Sequence, residues 1–170
     1  MDVFIEQIIQ KHKELKHLLL TALVIVAIPV LTVVAFIFLQ SFALFVFAGS
    51  IYGAYLVISG FSTEFEYSVT NNDLTVDKII ARRKRKRVIS LDIKEIEAFG
   101  EYVPETQKSR TYQTRLYCGS HPMAPGQWYL EIRHKKLGHT LLVFEPEERV
   151  LEAIKPYLPR LVANDAFRRK

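Results

Sequence analysis

The stretch HLLLTALVIVAIPVLTVVAFIFLQSFALFVFAGSIYGAYLVISGFST, residues 17–63, contains no Asp, Glu, Lys or Arg in a chain of 170 residues. A bilayer core about 30 Å thick is crossed by roughly 20 apolar helical residues. The run is therefore too long for one comfortable span and suited to two. Gln40-Ser41 is the only polar pair inside it, so the turn is expected there, with spans over 18–39 and 42–61. Leu18–Leu39 would rise about 33 Å as a helix, enough to cross. Pro29 falls mid-span, where membrane helices tolerate the lost backbone hydrogen bond better than soluble ones do. A cleaved signal peptide is the competing reading. Its apolar core runs to roughly 7–15 residues and ends at a small-x-small site, and this segment has neither feature.

The charges give the run an orientation. Lys11, Lys13 and Lys16 precede it, Arg82–Arg87 follows it, and its centre has no charge at all. Basic flanks stay in the cytoplasm and two spans return the chain to the side it left. Both termini are therefore expected in the cytoplasm, with the protein held in the membrane. The single cysteine, Cys118, excludes an internal disulfide and fits a reducing compartment. Within the second span, Gly49 and Gly53 form a small-xxx-small pair that admits close approach of another helix. They would pack either inside the hairpin, against Ala27 or Ala35, or against a second copy as a homodimer. Before the first span, Val3, Phe4, Ile5, Ile8, Ile9 and Leu15 approximate helical spacing. Residues 1–17 are read as an amphipathic cytoplasmic segment, lying on the inner leaflet or extending the first span.

Residues 62–170 carry 20 Lys+Arg against 15 Asp+Glu and hold the whole net charge of +5. Their length suffices for one small soluble domain with its own core. From Thr63 the apolar period becomes two. Phe65, Tyr67 and Val69 alternate with Glu64, Glu66 and Ser68, and Asn71-Asn72-Asp73 supplies a turn. Leu74 and Val76 lie on one face of a second strand, and Arg82–Lys86 is read as its tight, charged turn. Ile89, Leu91 and Ile93 follow in phase. After loops over 100–109 and 119–126, with a strand over 111–118 between them, residues 127–134 and 139–145 pair as a hairpin. Pro146, Glu147 and Glu148 then open a helix whose stripe is Val150, Leu151, Ile154 and Leu158. The expected fold is a two-span membrane helical hairpin (18–61), followed by six or seven antiparallel strands and one C-terminal amphipathic helix (62–159), with a basic tail over 160–170.

In this order of elements the chain resembles the bacterial pleckstrin-homology-like (PH-like) domains. The residues that carry the resemblance are Phe65-Glu-Tyr-Ser-Val-Thr-Asn-Asn-Asp-Leu-Thr-Val-Asp77 and Arg87-Val-Ile-Ser-Leu-Asp-Ile-Lys-Glu-Ile96. With the Asp2-Val-Phe start, the whole chain is similar to a small family of bacterial two-helix membrane proteins with such a domain. The resemblance implies a fold and a place in a bacterial inner membrane, with no established activity.

Three constellations bear on chemistry. Arg82-Arg83-Lys84-Arg85-Lys86-Arg87 is a run of six cations that an anionic surface would relieve. It points to acidic phospholipid headgroups or a protein partner, with a purely topogenic signal as the plainer account. Nucleic acid is a poorer partner, because the run contains no aromatic stacking group. The resemblance implies phosphoinositide contact for some basic hairpins of this fold, and generic anionic lipid is the bacterial counterpart. Second, Cys118, His121, His134 and His139 give Cys-x2-His-x12-His-x4-His, a spacing seen in tetrahedral zinc sites and the basis for an alternative zinc or thiol enzyme. A scatter of surface histidines is the commoner origin of such a pattern. Third, Glu64/Glu66 and Glu95/Glu97 read as polar strand faces rather than acid–base pairs. No glycine-rich phosphate loop or Ser-His-Asp set is visible, and neither catalysis nor a cofactor is expected.

Overall fold

A computed structural model describes residues 4–12 and 15–168. Met1, Asp2, Val3, Lys13, Glu14, Arg169 and Lys170 lie outside the described residues. The chain forms two compact units, one of residues 1–11, 64–79 and 85–170, the other of residues 12–63 and 80–84.

The first unit is mostly β, with strands in two sheets. One sheet has the order β1 (Phe4–Gln10), β2 (Thr63–Thr70), β3 (Asp73–Ile80), β4 (Lys84–Asp92). The other has the order β5 (Ile96–Glu101), β7 (Trp128–His134), β8 (Gly138–Phe144), β6 (Thr114–Tyr117). The core takes Phe65, Tyr67 and Val69 from β2, Leu74 and Val76 from β3, Ile89 and Leu91 from β4, and Phe99, Leu130, Ile132, Leu142 and Phe144 from the second sheet. Those of β2, β3 and β4 are the alternating positions expected from the sequence. Tyr67 meets Phe144 edge-on at 5.5 Å between centroids, and its hydroxyl donates to the carbonyl of Cys118. A buried phenol thus keeps a partner inside an apolar core.

Helix α4 (Glu148–Ile154) buries Val150, Ala153 and Ile154 on that core. A 3-10 turn over Lys155–Tyr157 ends it at Pro156, which cannot continue the hydrogen-bond ladder. Residues 160–170, expected to be a basic tail, contain a further helix, α5 (Arg160–Ala166). It delivers Phe167 to within 5.4 Å of the Trp128 ring and 6.1 Å of the Phe99 ring, both centroid to centroid. The aromatic packing outweighs the charge that marks the segment in sequence. Not every strand pairing is antiparallel either: β6 runs parallel to β8, with Thr114 opposite Thr140 and Tyr117 opposite Val143. The segment 100–109, read as loop, contains a short helix, α3 (Pro104–Lys108), opened by its proline.

The largest correction lies at the N-terminus. Residues 4–10 are the edge strand of the first sheet, where an amphipathic helix was expected. β1 pairs antiparallel with β2 from Phe4 opposite Thr70 to Gln10 opposite Glu64. Ile5, Gln7 and Ile9 face inward. Gln7 is 3% exposed; its amide donates to the carbonyl of Glu145 at 2.9 Å, and its oxygen accepts from the N–H of Glu147 at 2.7 Å. The strand thus serves as a clasp between β2 and the β8–α4 connection. A seven-residue helix in isolation would be marginal in water, whereas the strand gains a full ladder.

The second unit is helical. Helix α1 (Leu15–Leu39) and helix α2 (Ala43–Gly60) are joined by a 3-10 turn over Gln40–Phe42, entered by Gln40 at φ 29°. Its position matches the polar pair of the sequence. Pro29 lies inside α1 without ending it. The helical run as a whole is apolar and long enough to cross a membrane. A straight helix would hold His17 and Phe61 about 65 Å apart. Their rings are instead 4.8 Å apart, so the two ends of the run lie side by side. Ala35, Ala43 and Ala54 are its buried residues. Thr21, Thr32, Ser50 and Ser59 donate their hydroxyls to carbonyls three or four residues back, which satisfies polar groups on an otherwise apolar surface.

Candidate functional site

The six-cation run does not behave as one element. The turn between β3 and β4 consists of Ala81 and Arg82, at φ 55° and 54°, closed by the Arg83 N–H on the Ile80 carbonyl at 3.1 Å. Two successive left-handed residues make a type I′ turn, whose twist matches that of a hairpin. The tight turn expected over Arg82–Lys86 is therefore only its first part, and Lys84–Arg87 already belong to β4. Neither turn residue is glycine, so the conformation is strained and must be held by its surroundings. Two contacts hold it. The Ala81 N–H donates to the Ser62 carbonyl at 2.8 Å. The Arg83 guanidinium donates to the Tyr55 hydroxyl at 2.8 Å and lies over that ring, 5.3 Å from its centroid.

Arg85 and Arg87 are engaged otherwise. Arg85 donates to Glu66 of β2 at 2.6 Å, and Arg87 grips Asp77 of β3 through two contacts of 2.8 and 3.3 Å. Glu66 is 4% exposed and Asp77 5%. Burial holds the Glu66 carboxyl above its ordinary range, with Arg85 pulling it down. A buried carboxylate without a cation is costly, so two of the six cations are tied to sheet chemistry. Glu66, Asp77 and Tyr55 escape the sequence reading because their roles depend on partners far along the chain. Glu64 is buried as well, so the strand face read as polar is covered. Lys84 and Lys86 are exposed and have no partner among the described residues.

The Cys/His pattern does not assemble. Among the described residues no three His, Cys, Asp or Glu side chains come together as a metal site. Cys118 is 1% exposed and its thiol is pushed up to about 12 by burial, opposite to the requirement for a nucleophile or a metal ligand. The Nδ1 atoms of His121 and His134 accept the N–H groups of Met123 and Lys136, each at 3.2 Å, within their own turns. His139 belongs to another cluster, around the buried Glu131. There Arg110 and the Tyr112 hydroxyl each donate to one carboxylate oxygen at 2.7 Å, and His139 lies 3.8 Å from the other. Burial, then the bond to Glu131, pushes the Tyr112 hydroxyl up to about 12. The cluster fastens the segment after α3 onto β7. On α2, a Cβ built at Gly49 or Gly53 meets nothing within 4 Å, so neither glycine lies where α1 approaches.

Two sheets around one core, closed by C-terminal helices, define a PH-like domain, here with an apolar helical pair between its first two strands. The chain belongs to the bacterial PH-like domain family DUF6106, whose profile matches residues 1–164. That match takes in the N-terminal strand and the helical pair together with the sheets. No curated protein and no solved structure matches the chain.

Proposed function

We propose that the protein is a non-catalytic integral membrane protein whose helical pair crosses the bilayer twice and presents the PH-like unit on the cytoplasmic face as a binding module for a protein partner or acidic lipid. The observation that carries this reading is the pairing of Gln10 with Glu64. The apolar segment leaves one sheet and returns to the neighbouring position of the same sheet, so any crossing has to be made an even number of times. The 25 residues of α1 and 18 of α2 correspond to about 37 and 27 Å, against a core of about 30 Å. The turn between them carries no charge, while Lys16 and the basic β3–β4 turn flank the other end, which favours cytoplasmic retention of that end. The buried thiol and the carboxylate clusters support a binding role over a catalytic one, because they serve as core and struts.

Epitope tags at both termini and between Gln40 and Ser41 test the arrangement. The terminal tags should be reached only after the inner face of the membrane is opened, and the inserted tag from outside in intact cells. Termini on opposite sides, or all three tags on one side, would overturn the two-span reading.

A further inference from the structure

Strand β6 forms one border of the second sheet. Cys118, the residue after it, donates its N–H to the Val143 carbonyl of β8 at 2.8 Å. Alternation along the parallel ladder then turns the backbone groups of Leu116 towards β8 and those of Arg115 and Tyr117 away from it. Among the described residues, neither Arg115 nor Tyr117 makes a backbone hydrogen bond on that outer side. Both are exposed, and the Tyr117 ring has Tyr102 edge-on against it, 6.4 Å between centroids. Beside Tyr117 lies a mostly apolar cavity of about 70 Å³, lined by Lys11, Tyr117, Gly119, His121, Pro122 and Val143. It has room for a few waters or for one small aliphatic side chain. Its wall is fixed in place. The Ser120 N–H donates to the Glu145 carboxylate at 2.8 Å, and the Gln127 amide donates to the His121 carbonyl at 2.6 Å. A Cβ at Gly119 would meet that amide nitrogen at 2.9 Å, so the glycine keeps the wall close-packed.

We infer that β6 and this cavity form a docking site for an extended segment of a partner protein, which adds a strand beside β6 and places a small aliphatic side chain in the cavity. The inference rests on the reading of the PH-like unit as a binding module, and gives that module a location and a ligand class. Outward N–H and C=O groups recurring at every second residue are matched only by an extended backbone, and a pocket beside the edge selects one of its side chains. A short border strand bearing an arginine also protects a sheet from unwanted pairing, but that account has no use for the cavity. A second copy of this chain is the poorer occupant. Pairing through the free groups of both copies would centre on Leu116 and set the second copy's Arg115 against Tyr117, beside an apolar cavity already lined by Lys11. The free edge is short, so the complex is weak and transient.

The test uses the full chain in detergent, screened against a phage-displayed library of short peptides with detergent alone as the control. An enriched peptide is synthesised with single N-methyl groups stepped along its backbone, and binding is followed by fluorescence anisotropy. Methylation at every second residue should weaken binding about tenfold, the loss of one or two backbone hydrogen bonds, and methylation at the residues between should change it less than about twofold. Hydrogen exchange at Arg115 and Tyr117 should slow when the peptide is added. Arg115→Pro should weaken binding about tenfold and leave exchange in β7 and β8 unchanged, because proline is tolerated where a border N–H faces outward. A methylation profile without alternation, or unchanged exchange at Arg115 and Tyr117, would place binding elsewhere and overturn this site while the module reading stands. Oligomers of the chain alone that dissociate on Arg115→Pro would assign the edge to a second copy and overturn the partner segment. A library with no enriched sequence would overturn the site and the protein-binding reading together.

Discussion

The two units break the ordinary rule of burial in opposite ways. In the helical unit the large apolar side chains are outside: Phe38 is 79% exposed, and Leu19, Leu44 and Phe45 are similarly open. In the sheet unit carboxylates are inside, with Glu66, Asp77 and Glu131 all buried. Apolar surface on this scale is not left to water, and buried acids are kept only where cations meet them. The sheet unit buries an apolar core as a globular domain does, while the helical unit exposes the apolar surface of a run long enough to cross a membrane. The run of six cations is divided in sequence between the two units, Arg82–Lys84 in one and Arg85–Arg87 in the other.

The strongest way to break this comparison is to remove β1. Deleting residues 4–10 strips a full ladder from β2 and the Gln7 clasp from the β8–α4 connection. The sheet unit should lose its cooperative fold, seen as rapid proteolysis of the domain in detergent while the helical segment survives. A protected domain would mean that β1 is an accessory. The same substitution placed in each unit sharpens the contrast. Phe144 is fully buried, so Phe144→Ala should cost about 3–5 kcal/mol in denaturant unfolding of the sheet unit. Phe38→Ala should change that unfolding by less than about 0.5 kcal/mol.

A smaller effect concerns the buried acid. The Glu66 carboxyl is held above its ordinary value of 4.5 by burial. A carboxyl raised in this way binds more protons in the folded than in the unfolded chain between the two values. Stability therefore falls as pH climbs through the window just above 4.5, and the loss is complete above the folded value. Glu66→Gln should flatten that part of the stability profile, followed by thermal unfolding from about pH 4 to 7. An unaltered slope would place the titration elsewhere. The smallest effect is expected at the turn. Ala81→Gly relieves a left-handed alanine at φ 55°, and after the added freedom of the unfolded chain is subtracted it should stabilise by about 0.5–1 kcal/mol. A loss of stability would show that the turn is not strained.

Much of this was legible in the sequence, and the failures have physical causes. Phe65, Tyr67, Val69, Leu74 and Val76 alternate cleanly because their strands bury one apolar face. The helical boundary at Gln40 was visible because a polar pair stands out in an apolar run. β1 was misread because its central inward residue is Gln7: a buried amide interrupts the period of two and leaves Phe4, Ile5, Ile8 and Ile9 to imitate a helix. The parallel pairing of β6 with β8 depends on a crossover that no local pattern encodes. The basic run looked uniform because charge says nothing about partners, and Glu66, Asp77 and Tyr55 come from three different elements. The Cys/His spacing was misleading because Cys118 is claimed by the core and His139 by Glu131.

The central claim is that the apolar helical pair is an insertion between two paired strands of a PH-like domain that is complete without it. Gln10 and Glu64 are already opposite one another, so a two-residue type I′ turn can join them. The most direct measurement replaces residues 11–63 with Asn-Gly and follows the product by circular dichroism and denaturant unfolding without detergent. The account predicts a soluble, β-rich protein that unfolds in one cooperative transition. An insoluble or unfolded product, from a chain whose full-length form folds in detergent, would contradict it.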